Sequence, residues 1–119
     1  MFKIEFFETA EGIKPVVEFL NSLDTKMRVK VLRNIQHLQK NGYNLREPYS
    51  KALNDGIFEL RTQESGNITR VLYFFYIDNT IVMTNGFVKK TQKTPLSEIE
   101  KALSYRKIYL QRKEAQKNG

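Results

Sequence analysis

The stretch from Gly56 to Pro95 reads GIFELRTQESGNITRVLYFFYIDNTIVMTNGFVKKTQKTP. Three runs rich in β-branched and aromatic residues, at 57–61, 69–77 and 80–88, are separated by turn residues. This pattern predicts three strands of one antiparallel sheet. The continuous aromatic run Tyr73–Tyr76 is typical of a central strand that is buried on both faces.

The first turn predicts how two arginines meet. If residues 64–67 form that turn, Arg61 falls opposite Arg70 on the neighbouring strand. Like charges placed directly across a strand ladder are destabilising. The chain therefore either keeps the two side chains in water or holds them for an anion. A surface ion pair of each arginine with Glu59 or Glu64 is the plain structural alternative.

The second turn extends this register to the third strand. Asp78-Asn79 is typical of a two-residue hairpin loop, because both residue types tolerate the left-handed backbone that such loops need. Such a loop places Ile77 opposite Thr80 and Arg70 opposite Phe87. Since side chains alternate along a strand, one face is predicted to carry Arg61, Arg70, Phe87 and Lys89.

The residues before this stretch predict one strand and two helices. Residues 2–7 alternate apolar and charged side chains, as a strand does. Pro15 suits the first turn of a helix, and Asp24 or Thr25 can cap a second one. The two helices within residues 15–41 predict an αα-hairpin packed on the sheet.

The remaining segments predict a loop and a final helix. Residues 44–55 contain Pro48 and are expected to be irregular. Thr94 as N-cap and Pro95 at the first helical position predict a helix after the sheet. The polar tail of residues 111–119 is expected to fray. The spacing of this helix predicts one face with Ile99, Leu103, Arg106 and Leu110, and Ala102 and Tyr109 lie beside that face.

Length and composition narrow the class of protein. The 119 residues predict a single domain over residues 1–119, and the order β-α-α-β-β-β-α predicts an α+β fold. The absence of cysteine excludes disulfides, thiolate zinc sites and a cysteine nucleophile, and it favours the cytoplasm. No signal peptide is expected, because charges lie within the N-terminal apolar run. No membrane span is expected, because no apolar run approaches the roughly 20 residues that a span needs.

The charge balance favours an anionic partner. The formal net charge is +7 at pH 7, which suits nucleic acid, an acidic protein or a membrane surface. His37 is the only histidine, so a Ser-His-Asp arrangement is not supported, and His37 is expected to be an ordinary helical residue.

The arginine pair and the following lysines predict a phosphate site. Arginine offers a fork of donors to phosphate, and lysine offers a mobile point charge. Clustered cations also lower the pKa of a lysine towards the range useful for a general base. Arginine stays charged at neutral pH and is better suited to stabilising negative charge in a transition state.

Four segments resemble the HigB-like branch of the RelE/ParE toxin superfamily, the phage-related group with the ending GFxKKxxKTP. They are FELR at 58–61, RVLYF at 70–74, NGFVKKTQKTP at 85–95, and Glu98-Ile99. The resemblance implies a RelE-like fold, in which an antiparallel sheet carries an N-terminal helical hairpin and a C-terminal helix.

The resemblance also implies a function. It implies the cytoplasmic toxin of a type II toxin–antitoxin system, an mRNA endoribonuclease that acts in the ribosomal A site and inhibits translation. Cleavage by attack of the ribose 2′-hydroxyl would need neither metal nor cofactor. The implied partners are a cognate HigA-like helix-turn-helix antitoxin and ribosome-bound mRNA, and no membrane is involved. The alternative is a non-catalytic basic module that binds RNA or an antitoxin.

The site prediction follows from these residues. We predict catalytic roles for Arg61, Arg70, Lys89 and Lys90. RNA contacts are predicted for Lys93, Gln92, Phe87, Arg46 and Lys51. Some relatives carry lysines or a histidine where this chain has Glu59, which leaves the general base open. A tyrosine of the final helix near the site, Tyr105 or Tyr109, is a further open assignment.

Overall fold

The computed structural model describes residues 1–118 and confirms the predicted α+β class. Both predicted helices of the N-terminal hairpin are present, and Asp24 caps the second, accepting a hydrogen bond from Met27 N at 2.9 Å. The elements are β1 (Lys3–Phe6), α1 (Pro15–Ser22), α2 (Thr25–Asn41), a 3₁₀ turn (Gly42–Asn44), β2 (Ser50–Ala52), β3 (Phe58–Glu64), β4 (Asn67–Tyr76), β5 (Thr80–Val88) and α3 (Leu96–Asn118).

The sheet has five strands in the order β1-β5-β4-β3-β2. The three predicted central strands, β3, β4 and β5, are antiparallel neighbours. β1 differs from the antiparallel prediction, because it pairs parallel to β5. The helical hairpin lies between β1 and β2 in the chain and connects these two strands, which form the opposite edges of the sheet. β2 is a second difference: it lies within the segment predicted to be irregular and pairs with residues 58–60 of β3.

The register at the arginine pair is as predicted, although the second turn is not. Arg61 lies opposite Arg70, and Arg70 lies opposite Phe87. The predicted partner of Thr80, Ile77, is wrong, because Tyr76 faces Thr80 and leaves a three-residue loop.

A β-bulge compensates for the longer loop. Leu72 faces Asn85 and Tyr73 faces Met83, so Thr84 is one extra residue in β5. The Thr84 hydroxyl donates to Leu72 O at 3.2 Å within this irregularity. The extra residue cancels the extra loop residue and returns β5 to the predicted register beside Arg70.

Helices cover both faces of the sheet. The α1–α2 hairpin packs on one face, where the core includes Val16, Leu20, Val31, Leu38, Leu60 and Tyr73. α3 packs on the other face, where the core includes Phe7, Ile57, Leu72, Phe74, Val82 and Ala102. Arg61 and Arg70 stand on this second face, since Arg70 is two residues from Leu72 on β4.

α3 begins at Leu96, within one residue of the predicted start, and differs from its prediction in three respects. The Thr94 hydroxyl donates to a side chain of the sheet instead of capping the helix. Its buried residues are Ala102 and Tyr109, while Leu110 stays exposed. The helix also continues through the tail expected to fray, where Arg112 donates to Glu8 O at 2.6 Å. Gly119 lies outside the described residues. Within residues 1–118, no helix is long and apolar enough to cross a membrane.

Candidate active site

Neighbouring strands bring the predicted cations to one face of the sheet. Residues opposite each other in a ladder point to the same face. The ladder pairs Lys51 of β2 with Glu59 of β3, and it aligns Arg61, Arg70 and Phe87 across β3, β4 and β5. Lys89 follows β5 directly, and its backbone N–H donates to Ile68 O at 2.8 Å. We call Lys51, Arg61, Arg70 and Lys89 the basic cluster.

A buried carboxylate lies at the centre of the basic cluster. Glu59 Oε2 is 3.0 Å from Arg61 Nε and 3.4 Å from Arg70 Nε. Its other oxygen, Oε1, accepts a hydrogen bond from the Thr94 hydroxyl. The ion pairing considered as a surface alternative is therefore present, but around a carboxylate that is only 2% exposed. Glu64 instead pairs with Lys30, at 3.3 Å.

Arg70 is the buried member of the arginine pair. Its side chain is 6% exposed, and its Nη1 donates to Thr69 O at 3.2 Å. Nε faces Glu59 without hydrogen-bond geometry and is the one buried side-chain donor in residues 1–118 that lacks a hydrogen-bond partner. Burial lowers the pKa of Arg70, the Glu59 carboxylate raises it, and the Arg61 charge lowers it. Arginine nevertheless stays protonated, so Arg70 is a fixed positive charge beneath the surface.

Arg61 is the arginine that reaches the surface. Its side chain is 23% exposed, and Nε is held by Glu59. Its Nη1 lies 3.2 Å from an oxygen of Glu47, whose side chain is 65% exposed. Exposed ion pairs of this kind contribute little, about 0–1 kcal/mol. An incoming anion can therefore displace Glu47 while Glu59 keeps the guanidinium in place.

Lys89 has the electrostatic environment expected for a clustered lysine. The side chain is half-buried at the end of β5. Partial burial is the largest cause that lowers the pKa of Lys89. The positive charges of Arg70, Arg61 and Lys51 lower this pKa further, and the Glu59 carboxylate raises it in part. A lysine with a lowered pKa has a larger neutral fraction near pH 7, which is the form that accepts a proton.

The other predicted site residues are placed unequally. Lys90, Gln92 and Lys93 are exposed in the loop between Lys89 and Thr94. Phe87 is half-buried and packs against the core beneath α3, so its ring supports the cluster from below. Within residues 1–118, Arg46 forms neither a hydrogen bond nor an ion pair with the basic cluster, and its Nη1 donates to Tyr43 O at 2.8 Å.

The two tyrosines of α3 serve packing. Tyr105 stacks on Phe7 with ring centroids 4.5 Å apart, and Tyr109 donates to Glu5 at 3.0 Å. Burial and the Glu5 carboxylate raise the pKa of Tyr109. Both rings belong to the contact between α3 and the far half of the sheet. The sequence alone did not predict that Glu59 and Thr94 belong to the site. Glu59 was expected to be a surface ion-pair partner at a position where some relatives have a lysine or histidine, and Thr94 was expected to cap a helix.

The donor set of the site is basic. In the part of the chain that the structure describes, no group of three or more His, Cys, Asp or Glu side chains is placed to hold a metal ion. The cluster instead offers guanidinium and ammonium donors around one carboxylate. Such a set can bind a phosphate, orient it and stabilise added negative charge.

Comparisons with known proteins agree with the motifs. The family described as Phage derived protein Gp49-like matches residues 18–107. Two curated proteins named "Probable endoribonuclease HigB1", from two strains of Mycobacterium tuberculosis, are each 41% identical to the chain over 59 residues. The matched region covers 50% of this chain and 46% of each relative. The chain thus spans about half the length of the curated relatives it matches.

Proposed function

Because the chain belongs to the family described as Phage derived protein Gp49-like, we propose that it is the toxin of a type II toxin–antitoxin pair and cleaves mRNA on the ribosome. Family membership and the similarity to HigB1 bear out the resemblance to HigB-like proteins. The net charge of +7 suits an RNA ligand. The main supporting observation is the position of Arg61 beside Lys89. Buried Glu59 holds Nε of Arg61, and Nη1 of the same guanidinium is at the surface.

In the proposed reaction the nucleophile belongs to the RNA. The ribose 2′-oxygen attacks the adjacent phosphorus, and the bond from phosphorus to the 5′-oxygen breaks. Neutral Lys89 accepts the 2′-hydroxyl proton, and a protonated lysine, Lys89 itself or Lys90, returns a proton to the leaving 5′-oxygen. The products are a 2′,3′-cyclic phosphate and a 5′-hydroxyl. This route requires no metal or cofactor.

The two arginines have different electrostatic roles in this reaction. Arg61 donates to the non-bridging oxygens of the scissile phosphate once Glu47 is displaced. Arg70 stays buried against Glu59 and stabilises the extra negative charge through its field. Charges held in place before the reaction avoid reorganisation when negative charge develops.

Exposed lysines and one glutamine around the cluster hold the rest of the RNA. Lys90, Gln92 and Lys93 in the loop, together with Lys51 on β2, contact phosphates or bases on either side of the cleaved bond. Each phosphate contact of this kind adds to the salt dependence of binding. Exposed Arg46 can join them through its remaining N–H donors, since only Nη1 is engaged by Tyr43 O.

The proposed partner is a HigA-like helix-turn-helix antitoxin in the same cytoplasm. Its acidic side chains, or a segment laid over the sheet edge, would neutralise the basic cluster. Co-expression with the neighbouring helix-turn-helix gene product should relieve growth arrest and give a co-purifying complex. A neighbour that neither binds nor rescues would contradict the pairing.

The second candidate is a non-catalytic basic module that binds RNA or the antitoxin. The observation that favours it is that Glu59 pairs with both arginines and partly neutralises them. Catalysis and binding alone are separated by the reaction product, because only an enzyme generates new RNA ends.

The test is cleavage of ribosome-bound mRNA by purified protein, with new 5′ ends mapped against the reading frame and chelator present. Arg61→Ala should lower the cleavage rate by about 100-fold or more. Lys26→Ala, on the exposed face of α2, should leave it unchanged. Wild-type cleavage by Arg61→Ala, or cleavage that stops in chelator and returns with added metal, would overturn the proposed chemistry.

A further inference from the structure

A polar cleft opens beside the basic cluster, at the edge of β3. Its volume is about 370 Å³, and its walls include Lys30, Tyr49, Arg61 and Gln63. Sites for small molecules commonly have volumes of about 300–1,000 Å³. The cleft exists because β2 pairs with β3 only as far as Leu60. Among the residues that the structure describes, no strand continues the sheet past that point on this edge.

An exposed aromatic ring stands at the mouth of the cleft. Tyr49 precedes β2, and its carbonyl accepts from Arg61 N–H at 2.7 Å, so the backbone places it beside the arginine. The Tyr49 ring remains 47% exposed. His37 of α2 stacks on it, with ring centroids 6.0 Å apart and an angle of 29° between the planes. The ring is thus supported by a neighbour yet keeps surface for another planar group.

An exposed Tyr49 ring does not by itself indicate a binding site, since single exposed apolar side chains are normal. The polar groups beside it on the cleft wall make it a candidate for binding a nucleotide. The exposed Arg61–Glu47 contact leaves the terminal guanidinium nitrogen of Arg61 available to an anion. The exposed amide of Gln63 offers both donors and an acceptor. An aromatic face, a guanidinium and an amide are the groups that proteins use for the base, phosphate and base edge of single-stranded RNA.

We propose that this cleft is a nucleotide subsite, in which one base of single-stranded RNA stacks on Tyr49 while its phosphate binds Arg61. The proposal rests on the proposed function, because it gives the RNA substrate its position relative to the basic cluster. Gln63 contacts the edge of the stacked base. Lys30, which also lines the cleft and pairs with Glu64, contacts the next phosphate.

The first experiment measures binding of an RNA that cannot be cleaved. The probe is a fluorescein-labelled hexanucleotide of mixed sequence in which every ribose is 2′-O-methylated, and the readout is fluorescence anisotropy with the full chain. Tyr49→Ala should weaken binding about 5- to 150-fold, which is the range found for loss of one stacked base. Tyr49→Phe keeps the ring and should bind within about twofold of wild type.

Salt dependence separates stacking from charge. Loss of a phosphate contact lowers the slope of log K against log salt by about 0.7 for single strands. Arg61→Gln should therefore reduce the slope, whereas Tyr49→Ala should lower affinity at every salt concentration with the slope unchanged. A Tyr49→Ala slope that falls like that of Arg61→Gln would contradict stacking.

His37 supplies a direct reporter, because it is the only histidine and its ring signals are unique in a proton–carbon NMR spectrum. Adding the probe should shift these signals in the wild-type protein and leave them unchanged in Tyr49→Ala. Unmoved His37 signals at saturating probe, or Tyr49→Ala binding within twofold of wild type, would overturn the subsite.

The outcome can be told apart from that of the proposed function. If ribosome-bound mRNA is not cleaved but probe binding depends on the Tyr49 ring, the subsite stands and the enzymatic proposal fails. If cleavage depends on Arg61 while Tyr49→Ala binds normally, the subsite fails and the enzymatic proposal stands.

Discussion

Replacing Glu59 by glutamine tests whether one buried carboxylate holds the basic cluster together. Glutamine has almost the same shape. Its amide oxygen can take the place of Oε2 and accept from Arg61, while its NH2 group takes the place of Oε1 and donates to the Thr94 hydroxyl oxygen. The substitution removes the negative charge and exchanges one acceptor for a donor. Arg70, with a side chain 6% exposed, then keeps a buried positive charge next to a second arginine. The substitution therefore isolates the electrostatic contribution of Glu59 from its packing.

The expected cost follows from burial. Removing one partner of a buried ion pair costs about 3–5 kcal/mol, because the remaining charge is left uncompensated. Arg61 is 23% exposed and can gain water, so the penalty falls mainly on Arg70. Because the amide keeps the hydrogen bonds, we expect the lower end, about 3 kcal/mol. With a urea slope of about 1–3 kcal/mol per molar, the unfolding midpoint should fall by about 1–3 M.

Urea unfolding of a double-mutant cycle measures this directly. The second substitution is Arg70→Met, which replaces the buried guanidinium by an apolar side chain. Glu59→Gln/Arg70→Met should be less destabilised than the sum of the single variants by more than about 1 kcal/mol, because neutral groups can replace a buried pair at little cost. A Glu59→Gln variant within about 0.5 kcal/mol of wild type, or strictly additive single effects, would refute the reasoning.

Two further predictions concern a glycine and a lysine. Gly42→Ala should cost about 2 kcal/mol or more in thermal unfolding, because φ is +52° and a Cβ would lie 2.0 Å from a ring atom of Phe2. Gly66→Ala, where φ is also positive but the space is open, is the matched control and should cost less; equal losses would contradict the packing argument. Lys51→Gln should raise the pKa of Lys89 towards its ordinary 10.5, because one like charge is removed, and competitive acetylation read by mass spectrometry should show this as lower reactivity of Lys89 at a given pH. The pKa of Lys89 is lower in the folded chain than in the unfolded chain, so between the two values the unfolded chain binds more protons at this lysine. The free energy of unfolding therefore increases as the pH rises towards 10.5. Unchanged Lys89 reactivity in Lys51→Gln would contradict the assignment.

The arginine register was predictable because a short polar turn leaves few ways to pair two strands. The pairing of Arg61 with Arg70 follows from the turn at residues 64–67 alone. The pairing of Arg70 with Phe87 is also correct, but the route to it is not. A loop one residue longer than predicted is offset by the bulge at Thr84. A bulge depends on packing between strands and leaves no local signal in sequence. The predicted pairing of Arg70 with Phe87 is therefore correct because two unpredicted deviations cancel.

The position of Glu59 was not predictable for a different reason. A glutamate on a strand next to arginine ordinarily indicates a solvated face, and isolated carboxylates are rarely buried. Glu59 is buried because two donors and one further positive charge converge on it. Arg61 donates from the same strand and Thr94 from the segment after β5, while Arg70 on the next strand supplies the charge. That convergence is a property of the fold. The same argument applies to Thr94, whose position before a proline indicates a helix cap until the sheet is in place.

Glu59 also explains how two arginines can stand directly across a ladder. Like charges opposite each other destabilise a strand pair. The carboxylate of Glu59, which pairs with both arginines, compensates one of the two positive charges and so reduces their repulsion. Lys51, Arg61, Arg70 and Lys89 still outnumber it, so the cluster keeps a net positive charge for an anion. Glu59 pairs with Nε of both arginines, and Arg61 lines the cleft. Nη1 of Arg61 is therefore open to an anion without any rearrangement of the buried pair. A phosphate that enters has to displace only Glu47, the exposed and weakly bound partner. The carboxylate that partly neutralises the site is thus also the group that keeps it ready for an anion.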